Sequence, residues 1–576
     1  MTLGDQCGWL LRPGRVTAPG CALALTLVTL AGCTGDAPAT SAQNKHFATG
    51  PWFAERSADA GIDFRHVSGH SGRHLMPEIM GGGVALADLD GDNDLDLYFV
   101  QSGWATGTPA DSAENQLYLN AGDGSFALAP DGHGASDTGY GMGVAAGDYD
   151  NDGDVDLYIT NLGPNVLLRN RGDGRFEDVT RIAGVAEPGW GTAATFADLD
   201  ADGDLDLFVT NYISWHAGAE IDCYTDHGKL TYCAPEHFDA PAADHLFRNN
   251  GDGSFTDVSA RAGMNLRFGN GLGAVTADFN QDNRIDIFVA NDMMSNQLWL
   301  NRGDLRFEER ALETGVAVDA NGSAKAGMGV ATGDFDTDGD MDLVVVNLQS
   351  QSDTLFANEG NYFSDVTVSR GLSLVSRHYT RFGVVLADFD NDSVLDMYQA
   401  NGSVTNYDAS RTGGGEFAEP NLLLRGTPQG AFLAVEPMGG TPVSLVHTSR
   451  AVAVGDVDND GGLDLIVVNR DAQPYLLRNE VPSRGNWAKF RVLTRSGRDA
   501  YGAVVTATIG SSTRHHMVQP GGSYLASSDP RVHFGLGDAD GIRSVSVHWT
   551  DGEDESFGDF PARQILELRR GSGVRP

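Results

Sequence analysis

Between about residue 80 and residue 480 the chain alternates apolar and polar positions at period two, in short runs broken by glycine turns. The pattern repeats. From Tyr140 one copy reads as a small-residue strand, GMGVAAGD, an acidic loop, DYDNDGDVD, and a strand, DLYIT. A third strand, NVLLRN, a turn, RGDG, and a fourth strand, RFEDVT, complete it. Acidic loops with these surroundings begin at Asp88, Asp148, Asp198, Asp278, Asp334, Asp388 and Asp456. A period of roughly fifty residues making four strands is the signature of a propeller blade. Leucines mark the third strands (Leu117, Leu167, Leu246, Leu298, Leu355, Leu422, Leu476), and Phe126, Phe176, Phe255, Phe307, Phe363 and Phe432 mark the fourth. The last copy lacks a fourth strand, yet Phe53 to Ile62 echoes Phe176 to Val185. The pattern predicts an all-β fold over residues 51–482, a seven-bladed β-propeller whose N-terminal strand closes the last blade and removes an exposed edge. Glycines ahead of the loops (Gly81 to Gly83, Gly141, Gly143, Gly271, Gly273, Gly327, Gly329) let inner strands approach closely.

The loops carry the chemistry. Their form, D-x-D-x-D-G-D-x-D, sets hard oxygens at positions 1, 3, 5 and 9 and a backbone carbonyl at 7, which suits calcium. The predicted ligands are Asp88, Asp90, Asp92, Asp94 and Asp96; Asp148, Asp150, Asp152, Asp154 and Asp156; and Asp198, Asp200, Asp202, Asp204 and Asp206. The fourth loop offers Asp278, Asn280, Asp282, Arg284 and Asp286, and with one charge lost it is expected to bind most weakly. The fifth offers Asp334, Asp336, Asp338, Asp340 and Asp342, and the sixth Asp388, Asp390, Asp392, Val394 and Asp396. The seventh offers Asp456, Asp458, Asp460, Gly462 and Asp464, with Arg284, Val394 and Gly462 contributing only their carbonyls. No bidentate glutamate stands at position 12, so these are not EF-hands. Solvated acidic turns are the alternative, and seven spaced copies count against it. Up to seven structural Ca²⁺ ions are expected.

Charge sharpens this. The chain has 79 acidic against 39 basic residues and a net charge of −40, which excludes nucleic acid and anionic membrane surfaces as partners. The loops hold 31 of those acidic residues; set aside, they leave −9, so the acidity is mostly metal site.

The first residues look like a leader. Arg12 and Arg15 precede an apolar run, Cys21 to Leu30, too short to span a bilayer. Leu30-Ala31-Gly32-Cys33 resembles a bacterial lipobox, with lipidation at Cys33, a signal over 1–33 and a tether over 34–50. Residue 34 is not Asp, so an outer-membrane or surface location, or secretion, is expected. Cys223 and Cys233 are then the cysteines left in the folded part, and in an exported chain they read as one disulfide.

These loops resemble FG-GAP/VCBS-type repeats, the calcium-loop units also found in integrin α-subunits. The chain is similar to the ASPIC/UnbV (cartilage acidic protein-like) family at three places. These are Gly61-Ile-Asp-Phe-Arg-His66 with Met76-Pro-Glu-Ile-Met-Gly81, the Cys223…Cys233-Ala-Pro insertion, and the stretch after Arg484 from NWAKFRVLTRSGRDAYGAVVTATIG to GIRSVSVHW. The resemblance implies a small antiparallel β domain over 483–572 and an extracellular calcium-binding protein without an established reaction.

Other residues invite stronger readings. Arg171-Gly172-Asp173 and Arg302-Gly303-Asp304 spell an integrin-ligand tripeptide but fall in hairpin turns. His66, His70, His74 and Glu78 recur every four residues, which suggests a zinc site; on a helix they would share one face. Glycines and a proline break a helix there and a strand would not converge them, so rim loop residues are the expectation and a transition-metal site the alternative. No nucleophile elbow or phosphate loop is present. The long insertions at Gln101 to Glu114, Tyr212 to Asp244 and Gly402 to Pro420 are expected on the face opposite the acidic loops. The expected function is therefore a cell-surface binding or adhesion scaffold, with Trp215, Tyr224, Tyr232, Tyr407 and Phe417 contacting an extracellular protein or glycan ligand there. The lipid would be the sole link to a membrane. The rival is an enzyme or accessory subunit using His66, His378 and Arg381 over the central channel.

Overall fold

The computed structural model of the chain describes residues 50–106, 113–225, 227–405 and 415–575. The leader, Cys33, all but the last residue of the tether, and Tyr407 lie outside them. The acidic repeats lie in seven sheets among the described residues, each built on an antiparallel run of four strands, the first of them carrying a further strand. The second sheet is Gly141–Gly147, Asp156–Asn161, Val166–Asn170 and Phe176–Asp178. Its first hairpin pairs Gly147 with Asp156 beside the acidic loop and Gly141 with Asn161 at the far end. In the seventh sheet the outer strand is Phe53–Glu55, paired antiparallel with Tyr475–Asn479. The first strands of the sheets lie side by side in sequence order, and the last of them, Ser449–Gly455, lies against the first, Val84–Ala87. Helices are single turns such as Thr180–Ala183; among the described residues none is long and apolar enough to cross a membrane.

A side-chain relay joins neighbouring sheets. The asparagine ending the third strand donates from Nδ2 to the carbonyl at position 2 of the preceding sheet's acidic loop, at 2.8–2.9 Å. Asn170 reaches Leu89, Asn249 Tyr149, Asn301 Leu199, Asn358 Phe279 and Asn479 Phe389. Asn120 of the first sheet reaches Val457 of the seventh, which brings the relay back to its start. The sixth sheet has Gly426 at this position. Buried carbonyls left without a donor are costly, so Asn170→Ala, which also strips Val155 O of its partner, is expected to cost about 2 kcal/mol. Denaturant unfolding with an unchanged slope would measure it; a midpoint equal to wild type would show the relay to be incidental.

Residues after 483 form two sheets, and one corrects the expectation of an antiparallel domain. Asn486–Leu493 pairs antiparallel with Val532–Gly537 but parallel with Ile565–Arg569. The other sheet, of four strands from Val504–Ile509 to Asp554–Pro561, is antiparallel. Their apolar faces share one core with Tyr149, Phe196 and Leu207 of the second and third repeats. The segment also enters the axis. Ala526–Ser527 joins the first sheet as a parallel fifth strand beside Val84 and Ala85. Ser523 exchanges backbone hydrogen bonds with Val330, and the hydroxyls of Ser523, Ser527 and Ser528 accept from the amides of Val384, Ala146 and Val454. The inner glycines therefore serve two approaches. A Cβ on Gly273 would lie 2.4 Å from the Met328 carbonyl oxygen of the next inner strand, and one on Gly83 would lie 2.1 Å from that of Leu525.

Candidate metal centres

The acidic loops are held open by their own amides. In the second, Asp148 accepts from Asp152 N at 3.1 Å and Gly153 N at 3.0 Å. Asp156, at position 9, accepts from Tyr149 N through Oδ2 and from Asn170 N of the third strand through Oδ1. The same latch recurs from Leu89 N and Asn120 N to Asp96 up to Val457 N and Asn479 N to Asp464. Positions 4 and 6 are left-handed: Asn151 at φ 58° and Gly153 at 98° here, and even Ala201 (60°), Gln281 (56°) and Thr337 (67°) elsewhere. Such strain in non-glycine residues is kept where the surroundings impose it.

This backbone turns the carboxylates of positions 1, 3 and 9 inward. Ligand oxygens of Asp88, Asp90 and Asp96 lie within 4.8 Å of one another, as do those of Asp148, Asp150 and Asp156, of Asp334, Asp336 and Asp342, and of Asp388, Asp390 and Asp396. In the third loop the cluster is Asp198, Asp200 and Asp202. Position 7 does not contribute its side chain: Asp204 accepts from Asn151 and Asp94 from Asn459, at position 4 of the preceding loop, and Asp340 likewise from Gln281. Burial pushes the Asp96, Asp206 and Asp286 carboxyls up to about 8 and Asp342 to about 9, with neighbouring carboxylates adding to it. Asp150 Oδ1, Asp200 Oδ1 and Asp336 Oδ1 are buried without a hydrogen-bond partner. Orphaned, convergent, all-oxygen donors fit a hard dication such as Ca²⁺. Arg248 on Asp200, at 3.1 Å, and Arg370 on Asp336, also at 3.1 Å, take the outer Oδ2 and leave Oδ1 free. In the fourth loop Arg284 folds back onto Asp282 at 2.6 Å.

Segments 88–159, 148–209, 232–289, 278–345 and 334–398 match the family model described as FG-GAP-like repeat, together just over half of the chain. The chain belongs to the FG-GAP-like repeat family. Residues 493–575 match the ASPIC and UnbV model. Cartilage acidic protein 1 of Homo sapiens is 30% identical over 338 residues, covering 57% of this chain and 48% of that protein. The Xenopus tropicalis protein is 30% identical over 325 residues, covering 54% and 47%. The chain thus spans about half the length of the curated relatives it matches. Among solved structures, BP39L lectin from Burkholderia pseudomallei aligns with a TM-score of 0.42 at 13% identity, over 70% of this chain and 96% of that one, a likeness too loose to argue from.

The matched FG-GAP-like stretches end at residue 398, and the seventh loop departs from the others. Lys489, from the C-terminal segment, places Nζ 2.7 Å from Asp456 Oδ2, and both side chains are fully buried. Arg478 pairs with Asp458 and lies 3.4 Å from Asp464, and Arg484 lies 2.9 Å from Asp460. Three protein cations thus face four carboxylates. Asp458 Oδ1 is still without a partner, but the charge that would draw a dication is largely neutralised. This family member's C-terminal segment also meets other loops, through Arg498 on Asn151 and Gly203, Arg514 on Ser393, His533 on Asn391 and His548 on Asn283.

The other end of the sheets holds the insertions. Cys223 and Cys233 are disulfide-bonded. Tyr232 and Phe417 are buried, with rings 5.6 Å apart, so neither offers itself to a ligand as expected. Trp215 is half-buried and donates to Glu220 at 2.9 Å; Trp104, Ile221 and Tyr224 are the exposed ones. Of the rival catalytic set, His66 bonds Ser102 at 3.0 Å and Arg381 bonds Asp353 at 2.7 Å, both buried, while the His378 carbonyl accepts from Gln349 at 3.0 Å. The expectation that His70, His74 and Glu78 stay apart is wrong. His70 Nδ1 lies 3.0 Å from Glu78 Oε2, and the two imidazole rings are 5.2 Å apart. Turns rather than a helix or strand shape this segment: Gly69, Gly72 and His74 all have positive φ and fold it on itself.

Proposed function

We propose that the protein is an exported seven-bladed β-propeller, stabilised by calcium in its acidic loops, that acts as a surface binding scaffold for an extracellular protein or glycan. The blade count is supported by seven sheets that each hold an antiparallel run of four strands and by the asparagine relay from Asn120 to Val457. Calcium is supported by the orphaned carboxylate oxygens. Six ions rather than seven are proposed, with Lys489 as the resident cation of the seventh loop. Lipidation at Cys33 would hold the molecule at the surface.

The observation that carries the binding role is the contrast between the ends of the sheets. The acidic-loop end is covered by the C-terminal segment, whereas the insertions at the other end present exposed Trp104, Ile221 and Tyr224 around a disulfide-tied loop. Exposed aromatics on a rigid scaffold are common contact points. A glycan array and a surface-extract crosslink, both with calcium-loaded protein, test it. The captured ligand should be lost about tenfold in Trp104→Ala or Tyr224→Ala and kept in Arg543→Ala, on the C-terminal segment. Equal capture by all of them would remove the insertions from the binding role.

A further inference from the structure

We infer that His70, His74 and Glu78 form a transition-metal site, best suited to Zn²⁺, at the end of the sheets away from the acidic loops. It stands independently of the calcium reading, because its donors are nitrogens plus one carboxylate.

The local chain builds the site. Left-handed residues at Gly69, Gly72 and His74 curl residues 69–75 so that the His70 and His74 rings meet edge to face, at 81°. The turn Met76–Ile79 then brings back Glu78, fixed by Leu75 N donating to its Oε2 at 3.2 Å. Tyr232 OH lies 3.1 Å from His70 Nδ1 and its ring 4.9 Å from that of His74, so the residue beside Cys233 walls the site.

A plain His70–Glu78 hydrogen bond accounts for only half of this. Glu78 is 1% exposed, yet its Oε1 has no partner; His74, half-buried, has its imidazole near the Gly72 backbone, but its Nδ1 makes no hydrogen bond of good geometry. Leaving two such groups unpaired costs about 1–3 kcal/mol each, and the left-handed non-glycine His74 adds strain. A cation held between His74 and Glu78 would satisfy both atoms. Zinc binds imidazole nitrogen and carboxylate oxygen at about 2.0–2.2 Å, so two ligands on one ion lie roughly 3–3.5 Å apart. The 3.0 Å separation of His70 Nδ1 and Glu78 Oε2 is such an edge. Two histidines and a glutamate are also the three-ligand set of zinc sites that keep an open fourth position. Here His70, about one-third exposed, faces solvent on the side where the insertions gather. His66 takes no part, being committed to Ser102. Arg470 reaches Tyr232 OH at 3.4 Å and the Glu78 carbonyl at 3.5 Å, holding the wall rather than the donors.

The test uses the whole exported protein in millimolar calcium, stripped with a zinc-selective chelator that leaves calcium bound. Elemental analysis after zinc loading should find about one Zn²⁺ per chain, and Co²⁺ should give the visible d–d absorption of a low-coordinate nitrogen–oxygen site. His74→Ala and Glu78→Gln should each weaken binding at least about tenfold while the melting curve in calcium stays cooperative. Should His74→Ala misfold, His74→Gln and the wild-type titration still decide. Zinc held no better than by a protein lacking these side chains, or cobalt without a d–d band, would overturn the site.

Discussion

Chelating calcium is expected to unfold the protein at temperatures where the calcium-loaded form is stable. Each loop packs several carboxylates around one small volume, and burial already drives position 9 toward its protonated form. A saturated site contributes about 2.7 kcal/mol at a hundredfold excess of ion over its Kd. Several sites together exceed the roughly 5–15 kcal/mol that holds an ordinary protein folded. Calorimetry in EGTA and in millimolar calcium measures the loss, with limited proteolysis to show which sheets open. The loops should not be equal. Asp150→Ala removes a donor with an orphaned oxygen and should cost roughly one site's worth, about 2–3 kcal/mol, in calcium but little in chelator. Asp458→Ala removes a carboxylate already paired with Arg478, and its effect should be the same with or without calcium. Identical melting in chelator and calcium would end the metal reading of every loop.

The repeat was legible because it is written locally. Period-two strands, turn glycines and loop aspartates all lie within one fifty-residue window. Long-range partners were not. Asn170 looks like one more turn residue after VLLR, because the carbonyl it satisfies belongs to Leu89, far back in the chain. Lys489 sits in a run, NWAKFRVL, whose burial reveals itself only when Asp456 is set against it. The stretch VQPGGSYLASSDP reads as a loop of small and polar residues. Its serines, however, serve three different inner strands. The meeting of His70, His74 and Glu78 is hidden for a related reason: regular periods say nothing about where left-handed turns carry a side chain.

A chain ending at Glu480 is expected not to survive as an independent set of seven sheets. The residues it would lose fill the axis. Tyr524 and Leu525 are buried in the central core, with the Tyr524 ring 4.9 Å from Phe382 and its hydroxyl on the Met80 carbonyl. Without them the inner strands would face a void, and the amides of Ala146, Val384 and Val454 would lose their serine acceptors. Asp456, fully buried, would lose Lys489, and breaking a buried pair by removing one partner costs about 3–5 kcal/mol. The Phe490 and Val547 core would also uncover Tyr149 and Phe196. A graded version avoids the truncation: Tyr524→Ala should cost about 3–5 kcal/mol by cavity formation alone. Lys489→Met should cost less in calcium than in chelator, because an ion can then take the place of the ammonium. Expression of the 34–480 chain, followed by calorimetry in calcium, measures the whole effect. A soluble product melting cooperatively near the full-length protein would mean that the C-terminal segment only covers the acidic loops and holds nothing together.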